Sequence, residues 1–232
     1  MVEQKDNFNL KFLSSLKVLT LRKLLIFLIT LTFLISTASA ATLNVGPEAT
    51  YHIIQSAIDA AHDGDTIQVA SGIYNETIQV TNKQLNIIGQ NYPSINGARL
   101  WGGVTGILYG LAFTKSGVAL SDGGHITIQN CEFTNCGIDI WTQTCTDCMI
   151  LDNKLTNGGI LLYETYDNSV IGNYISGAKI GLQMGGGATC KSITNNSFEK
   201  CQVAAQLEQV PTTMNWNIYK SNEVNIKIVQ PV

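Results

Sequence analysis

The stretch ILDNKLTNGGILLY, residues 150–163, recurs in altered form along most of the chain. Six units share its layout: an apolar residue stands three places before a centre, and others stand two, seven and nine places after it. Successive centres lie 20 to 23 residues apart, at Leu111, Cys131, Asn153, Asn173, Asn196 and Asn217. A repeat of just over twenty residues made of short β runs is typical of a solenoid.

The repeat predicts how each unit packs. Side chains alternate between the two faces of a strand, so offsets seven and nine share one face and offset ten lies on the other. One unit cannot enclose its own apolar residues, whereas units stacked ~4.8 Å apart pair their backbones and align like residues into columns. The pattern therefore predicts a parallel β-helix, with Ile138, Ile160 and Ile180 in one interior column.

The first 40 residues have the features of a secretory signal peptide. Basic residues precede the apolar run Leu24–Ile35, and Ala38-Ser39-Ala40 forms a small-x-small cleavage site. The alternative is an uncleaved membrane anchor, for which the run is short compared with a span of ~20 residues. Residues 41–232 are expected to form one domain. Nine of the fourteen basic and fifteen of the seventeen acidic residues lie in it, giving a net charge of −6 that argues against a nucleic-acid partner.

The two ends of this domain differ. Apolar residues at helical spacing predict a short helix over about residues 50–62, with Thr50 as its N-cap, which would cover the first coil. No comparable helix follows the last unit, which ends in the alternating run at residues 225–229. An uncovered coil presents unpaired backbone groups and apolar side chains. We therefore expect self-association through the C-terminal coil, or a loosely ordered last coil.

The quoted repeats also resemble a known family. The run IIQSAIDAAHDGDTIQVASGIYNETIQV at residues 53–80 is similar to the opening of secreted proteins of the pectate-lyase-like superfamily. The segments ITIQNCEF, IGNYI and ITNNSF, at residues 126–133, 171–175 and 193–198, resemble its NosD-type and carbohydrate-associated repeats. The resemblance implies an all-β fold, a right-handed parallel β-helix, for which we expect about seven or eight short coils and the N-terminal helix cap.

The resemblance also implies catalytic residues, which the sequence does not supply. Lyases of this superfamily use a basic residue, often arginine, yet Arg99 is the one arginine after residue 40 and lies outside the regular repeats. Related glycosidases use paired carboxylates, but the sequence has no Asp-Asp or Asn-x-Asp motif. The segment Gly72–Glu76 matches a Gly-x-Tyr-x-Glu motif of pectin methylesterases, but the catalytic Asp and Arg motifs of these esterases are absent further on. A plain turn that enters a strand is the favoured interpretation of this segment.

A sugar-binding surface is predicted at offset ten. Trp141 and Tyr163 occupy this outward position in adjacent units, Gln183 follows them, and Asp139 lies two residues before Trp141. Aromatic rings offer apolar faces to sugar rings, while carboxylate and amide groups supply hydrogen bonds. The alternative interpretation is aromatic packing across neighbouring strands.

A cation site is predicted six places before the centres, where His125, Asp147 and Asp167 stand in successive units. Carboxylates on neighbouring coils would lie about 5 Å apart and could share Ca²⁺ or a transition metal. The alternative is that these are ordinary turn residues. No cofactor is required by the sequence, and Ca²⁺ is the one that this column suggests.

Six cysteines follow the signal segment, and an even number in an exported chain suggests disulfides. Cys145 and Cys148 could close a small local loop. Cys131, which stands at a centre that is asparagine in later units, is expected inside the stack. The spacings do not give the connectivity.

Three functional hypotheses follow. The first is a secreted or cell-surface, carbohydrate-associated protein that binds glycan or cell-envelope polysaccharide without catalysis and leaves the membrane after signal cleavage. The second is a polysaccharide lyase or hydrolase acting on an acidic polysaccharide, and the third is a structural surface protein. Asparagines at the centres are expected to hydrogen-bond from coil to coil.

Overall fold

The structure is a computed structural model that describes residues 39–230, so the predicted signal segment lies outside the described residues apart from its last two. The chain from Ala40 onward forms one compact unit. Among the described residues, no helix is long and apolar enough to cross a membrane.

All strand pairs are parallel, and the coils have three faces. Face A is a nine-stranded sheet with the strands β1 Thr42–Val45, β2 Thr66–Val69, β4 Gln84–Gly89, β6 Thr105–Tyr109, β8 Ile126–Gln129, β11 Met149–Leu151, β14 Asn168–Ile171, β17 Cys190–Thr194 and β20 Thr213–Asn215. Face B holds β9 Glu132–Thr134, β12 Lys154–Thr156, β15 Tyr174–Ser176, β18 Ser197–Glu199 and β21 Ile218–Lys220.

Face C holds β10 Ile138–Trp141, β13 Ile160–Tyr163, β16 Ile180–Gly185, β19 Val203–Leu207 and β22 Val224–Ile228. Faces B and C belong to one thirteen-stranded sheet, because three longer strands run through both: β3 Ile73–Thr81, β5 Ser94–Trp101 and β7 Ala112–Ser121. The prediction of an all-β parallel β-helix is confirmed, with about nine turns in place of seven or eight. The difference arises because β1 and β2 pair into the stack ahead of β4.

The core consists of aligned interior columns. On face C one column contains Ile78, Ala98, Val118, Ile138, Ile160, Leu182, Ala205 and Ile226. The prediction that Ile180 belongs to this column is wrong: Leu182 pairs with Ile160, and Ile180 is half-buried. Leu155 pairs with Ile175 and Ile160 pairs with Leu182, so the segment that leads from face B into face C is two residues longer in this coil than in the preceding one. This extra length moves the register of β16.

A ladder of asparagines runs along the corner between faces A and B. The side-chain oxygen of Asn173 accepts hydrogen bonds from the backbone and side-chain nitrogens of Asn153, both at 3.0 Å. Its amide nitrogen donates to the Ile150 carbonyl at 2.8 Å and to Asn196. The same pattern continues to Asn217, so the expected coil-to-coil bonding is confirmed. Each buried amide is satisfied in the way that a polar group in a protein interior requires.

One helix, α1 Ile54–Ala60, packs on the first coils through Ile54, Ala57 and Ile58, inside the range that the sequence predicts. Thr50 is not its cap, because the helix begins four residues later. Instead, the Glu76 carboxylate accepts hydrogen bonds from the backbone nitrogens of Ile54 and Gln55, both at 3.0 Å. At the other end Lys83 donates to three carbonyls, those of Ile58, Asp59 and Ala61. Opposite charges at the two ends match the helix dipole.

The role of Glu76 explains the Gly-x-Tyr-x-Glu match. Gly72 precedes β3, the Tyr74 hydroxyl donates to the Ala70 carbonyl at 3.0 Å, and Glu76 holds the helix. These contacts give the motif a structural role in closing the N-terminal end of the solenoid.

At the other end, the last coil continues the interior columns with Met214, Tyr219, Ile226 and Ile228. Nothing within residues 39–230 packs on its outer side, and Ile226 and Ile228 are 45% and 55% exposed. Self-association through this coil stays a prediction.

Replacement of Ile160 by Asp should abolish cooperative folding, because it buries a charge at a position that is 2% exposed and lies between the fully buried Ile138 and Leu182. Thr156→Asp is the matched control, since Thr156 points outward from β12. Thermal unfolding followed by circular dichroism compares the two. An Ile160→Asp protein with the wild-type melting temperature would contradict the register.

Replacement of Asn173 by Ala should lower the free energy of unfolding by about 2–4 kcal/mol, because it leaves the buried Asn153 backbone N–H without its acceptor and removes the amide that donates to the Ile150 carbonyl. The control is Asn86→Ala in β4, where the side chain is half-buried and points outward. Denaturant titrations measure both variants. Equal losses in the two would show that the ladder does not stabilise the fold.

Candidate functional site

Two columns of side chains cover the outer surface of face C. The first contains Arg99, Ala119, Asp139, Leu161, Gln183, Gln206 and Lys227, and the second contains Trp101, Ser121, Trp141, Tyr163 and Gly185. They point outward because residues of the interior columns alternate with them along each strand. The predicted sugar-binding residues all lie on this surface.

Trp141 and Tyr163 are direct neighbours across β10 and β13. Their side chains are large and apolar, yet they are 48% and 45% exposed. Beyond Tyr163 the column continues with Gly185, and a Cβ atom there would lie 3.1 Å from the tyrosine ring. The ring therefore extends over backbone that carries no side chain, and the two aromatic residues form a continuous surface open to solvent.

Asp139 precedes Trp141 by two residues and lies between Ala119 and Leu161 of the neighbouring strands. Neither neighbour can pair with its carboxylate, and none of the ion pairs within residues 39–230 includes it. Asp139 is an exposed residue, but desolvation of the carboxylate against the sheet raises its pKa.

Gln183 does not follow Tyr163 in its column, as the repeat offsets predict, because the shifted register of β16 aligns it with Leu161. It still shares a groove of about 350 Å³ with Asp139. Lys179 also lines this groove. It directly precedes β16, in the longer segment that moves Gln183. Glycines form part of the groove, and a side chain at Gly137 would collide with the carbonyl of Gly159 in the next coil.

A second groove, of about 360 Å³, lies towards the N-terminal end of face C. Trp101 and Trp141 line it together with Arg99 and Ser121. The expectation that Arg99 lies outside the regular repeats is wrong, because β5 aligns it with Ala119. The repeat could have identified Trp101 as part of this surface. A further centre at Asn91, 20 residues before Leu111, would place Trp101 at offset ten.

The three residues of the predicted cation site lie at one corner of successive coils, where each adopts a left-handed backbone conformation. Lys191 donates to the Asp147 carboxylate, and this hydrogen bond, together with the charges of Lys191 and His125, lowers the pKa of Asp147. The ammonium group of Lys191 thus lies where a bound cation is predicted. Within residues 39–230 no three His, Cys, Asp or Glu side chains are grouped to hold a metal, and Ca²⁺ binding here stays a prediction.

The six cysteines are free and buried, which corrects the expectation of disulfides. Five of them, all but Cys190, direct their sulfur atoms to backbone carbonyls. Cys190 is the first residue of β17. Cys131 continues the asparagine ladder: its backbone nitrogen donates to Asn153 at 2.9 Å, and its sulfur donates to Leu108 and Gln129. Its expected burial is confirmed. Burial raises the pKa of Cys131 and Cys190 to about 12 and that of Cys148 to about 11.

Comparison with protein-family models gives a match over residues 48–230, to the family described as periplasmic copper-binding protein (NosD). The chain belongs to the NosD family. The matched residues comprise nearly all of the described β-helix, including both grooves. No curated protein sequence matches the chain.

Comparison with solved structures gives two matches of low sequence identity. Both are pectin methylesterase from Aspergillus niger, one in deglycosylated form and one in penultimately deglycosylated form. Their identities are 13% and 12%, and their TM-scores are 0.43 and 0.39. In each, the match covers 81% of this chain and 87% of the other.

The thiols should be unreactive in the native protein, because burial disfavours the thiolate that attacks a disulfide reagent. We expect little reaction with a soluble aromatic disulfide under native conditions and six reactive thiols after unfolding in denaturant. Absorbance of the released thiol measures both. Four or fewer thiols in denaturant would mean that disulfides form after export.

Proposed function

We propose that this NosD-family protein binds a glycan along face C, outside the cytoplasm and without a resident cofactor. The observation that carries the proposal is the adjacent, half-exposed pair Trp141 and Tyr163. A soluble protein rarely leaves two large neighbouring aromatic rings uncovered unless a ligand contacts them. Packing between the two rings alone would not need such exposure, which favours a platform over simple cross-strand stacking.

The grooves beside the aromatic pair supply polar groups for orientation. Asp139, Lys179 and Gln183 lie on one side of the pair and Arg99 and Ser121 on the other. Each groove has the size of a small-ligand site, roughly 300–1,000 Å³. Together they would accept an elongated ligand that runs along the solenoid axis and stacks on the rings at its middle.

Polysaccharide hydrolysis is a weaker candidate for this face. Such enzymes act through two carboxyl groups about 5–9.5 Å apart. Asp139 is the one acid among the residues that line the two grooves. Its raised pKa would suit a proton donor, but the grooves provide no second carboxylate as nucleophile or base. Binding therefore fits the geometry better than catalysis.

The family description names copper, and the described residues do not fit a copper site. Copper prefers accessible thiolate, thioether or imidazole ligands. The cysteines are buried, and the sulfur atoms of all but Cys190 are directed towards backbone carbonyls. The described residues also lack a group of three potential ligands. We therefore assign no copper-dependent role to this chain.

The proposed location outside the cytoplasm rests on the word periplasmic in the family description and on the signal-like first 40 residues. We propose more specifically that the protein is secreted or displayed on the cell surface. Amino-terminal sequencing of the exported protein tests it, with a new terminus at Ala41 as the expected result.

Replacement of Trp141 by Ala should weaken glycan binding by about 1–3 kcal/mol, as loss of other aromatic stacking platforms does. The melting temperature should change little, because the ring lies outside the core. Trp216→Ala is the matched control, since Trp216 is 76% exposed and lies outside the residues that line both face C grooves. A glycan array identifies ligands and calorimetry gives the affinities. Loss of stability without loss of binding would favour a packing role.

A further inference from the structure

The strongest feature that remains unexplained is the carboxylate of Asp139. It stands on the strand that carries Trp141, pointing to the same side, and Tyr163 lies across from Trp141 on the next strand. The Asp139 carboxylate thus adjoins two half-exposed aromatic rings, and the Glu208 carboxylate lies beside Gly185, on the far side of Tyr163. This arrangement is specific to one region of face C, because the corresponding positions on the preceding coil are Ala119 and Ser121.

The groups around Asp139 do not neutralise it. The flanking strands β7 and β13 place Ala119 and Leu161 beside it, and Gly137 lies in the turn just before its own strand, β10. Lys179 lines the same groove without forming an ion pair with it. Arg99 lies two coils away, at a distance of roughly 10 Å from the strand spacing. The carboxylate is therefore partly desolvated and lacks a cationic partner within the described residues.

A ligand with a positive charge would be stabilised here by two interactions, one with the carboxylate and one with the aromatic rings. An ammonium group can form a charge-assisted hydrogen bond with the carboxylate. Indole and phenol rings attract a cation through the negative potential of their faces, and tryptophan does so best. The net charge of −6 after residue 40 adds a long-range attraction for cations. An anionic sugar at the same place would be repelled by Asp139.

We propose that the aromatic platform of face C selects glycans built of amino sugars whose nitrogen is unacetylated and protonated. The inference rests on the glycan-binding function proposed above and names its ligand class. The sugar ring stacks on Trp141 and Tyr163, while the ammonium group lies against Asp139. An acetylated nitrogen is neutral and bulkier, so it loses the charge-assisted contact.

Calorimetry with two hexameric probes tests the proposal: fully deacetylated glucosamine oligomer and its fully acetylated counterpart, at a pH below the pKa of the amine. The wild-type protein should bind the deacetylated oligomer about tenfold more tightly, as expected for one hydrogen bond to a charged group. Asp139→Asn should weaken binding of the deacetylated oligomer about tenfold, which brings the ratio of the two affinities close to one. Asp139 is exposed, so the variant should fold, and its melting temperature is measured alongside.

Asp152→Asn is the control. It removes the same charge at the end of β11 on face A, and it should keep the preference for the deacetylated oligomer. If it abolishes the preference as well, the net charge of the protein and not Asp139 is responsible, and the inference is overturned. Hexalysine serves as a non-sugar cation, and binding as tight as that of the amino-sugar oligomer would also overturn it.

The outcomes separate this inference from the function on which it rests. Equal binding of both oligomers, with loss of both in Trp141→Ala, would overturn the preference for amino sugars and retain glycan binding. Binding of acidic or neutral glycans alone would do the same. Absence of binding to any glycan on the array would overturn both.

Discussion

The hydrogen bond that each corner asparagine makes to the asparagine of the next coil is the interaction on which the register of this solenoid depends. Apolar columns tolerate a shift, because one aliphatic side chain can replace another: Leu182 takes the place that the repeat assigns to Ile180. The ladder tolerates none, since a displaced amide would leave buried backbone groups without partners. Asn153 and Asn173 keep their bonds at 3.0 Å in the very coils where face C shifts, so the corner between faces A and B keeps its register.

The register shift on face C shapes the candidate site. Face A shifts by one residue at the start of β17. The extra length before β16 leaves face B in register, since β15 pairs with β18 residue for residue, and it changes which residues of face C stand side by side. It brings Gly185 next to Tyr163, so that the aromatic surface stays uncovered, and it brings Lys179 and Gln183 to the groove of Asp139. A difference in the length of the segment between faces B and C therefore alters the candidate site while the core remains continuous. Solenoids allow this because each coil contacts only its neighbours.

Most of the fold could be predicted from the sequence, because fixed offsets of apolar residues report the interior columns directly. The repeat also placed Trp141 and Tyr163 on one surface and His125, Asp147 and Asp167 at one corner. It could not place Gln183, since offsets counted from one centre carry no information on where extra residues enter a turn. Nor could it show that Glu76 holds α1 or that Lys191 approaches Asp147, because these contacts join residues of different coils whose relative position depends on the complete stack.

The cysteines show how the same corners accept a different chemistry. At Cys131 a thiol replaces the amide of the ladder and still donates to the carbonyl of the preceding coil, while the backbone nitrogen of Cys131 bonds to Asn153. The Asn153 side-chain oxygen accordingly accepts from the Cys131 backbone nitrogen but receives no second hydrogen bond from its side chain, as the asparagine oxygens further along the ladder do. Because each thiol is buried, we expect it to remain reduced even in an oxidising compartment. The outward residues of face C make no contact with the asparagine ladder, so we expect them to tolerate change without loss of the fold.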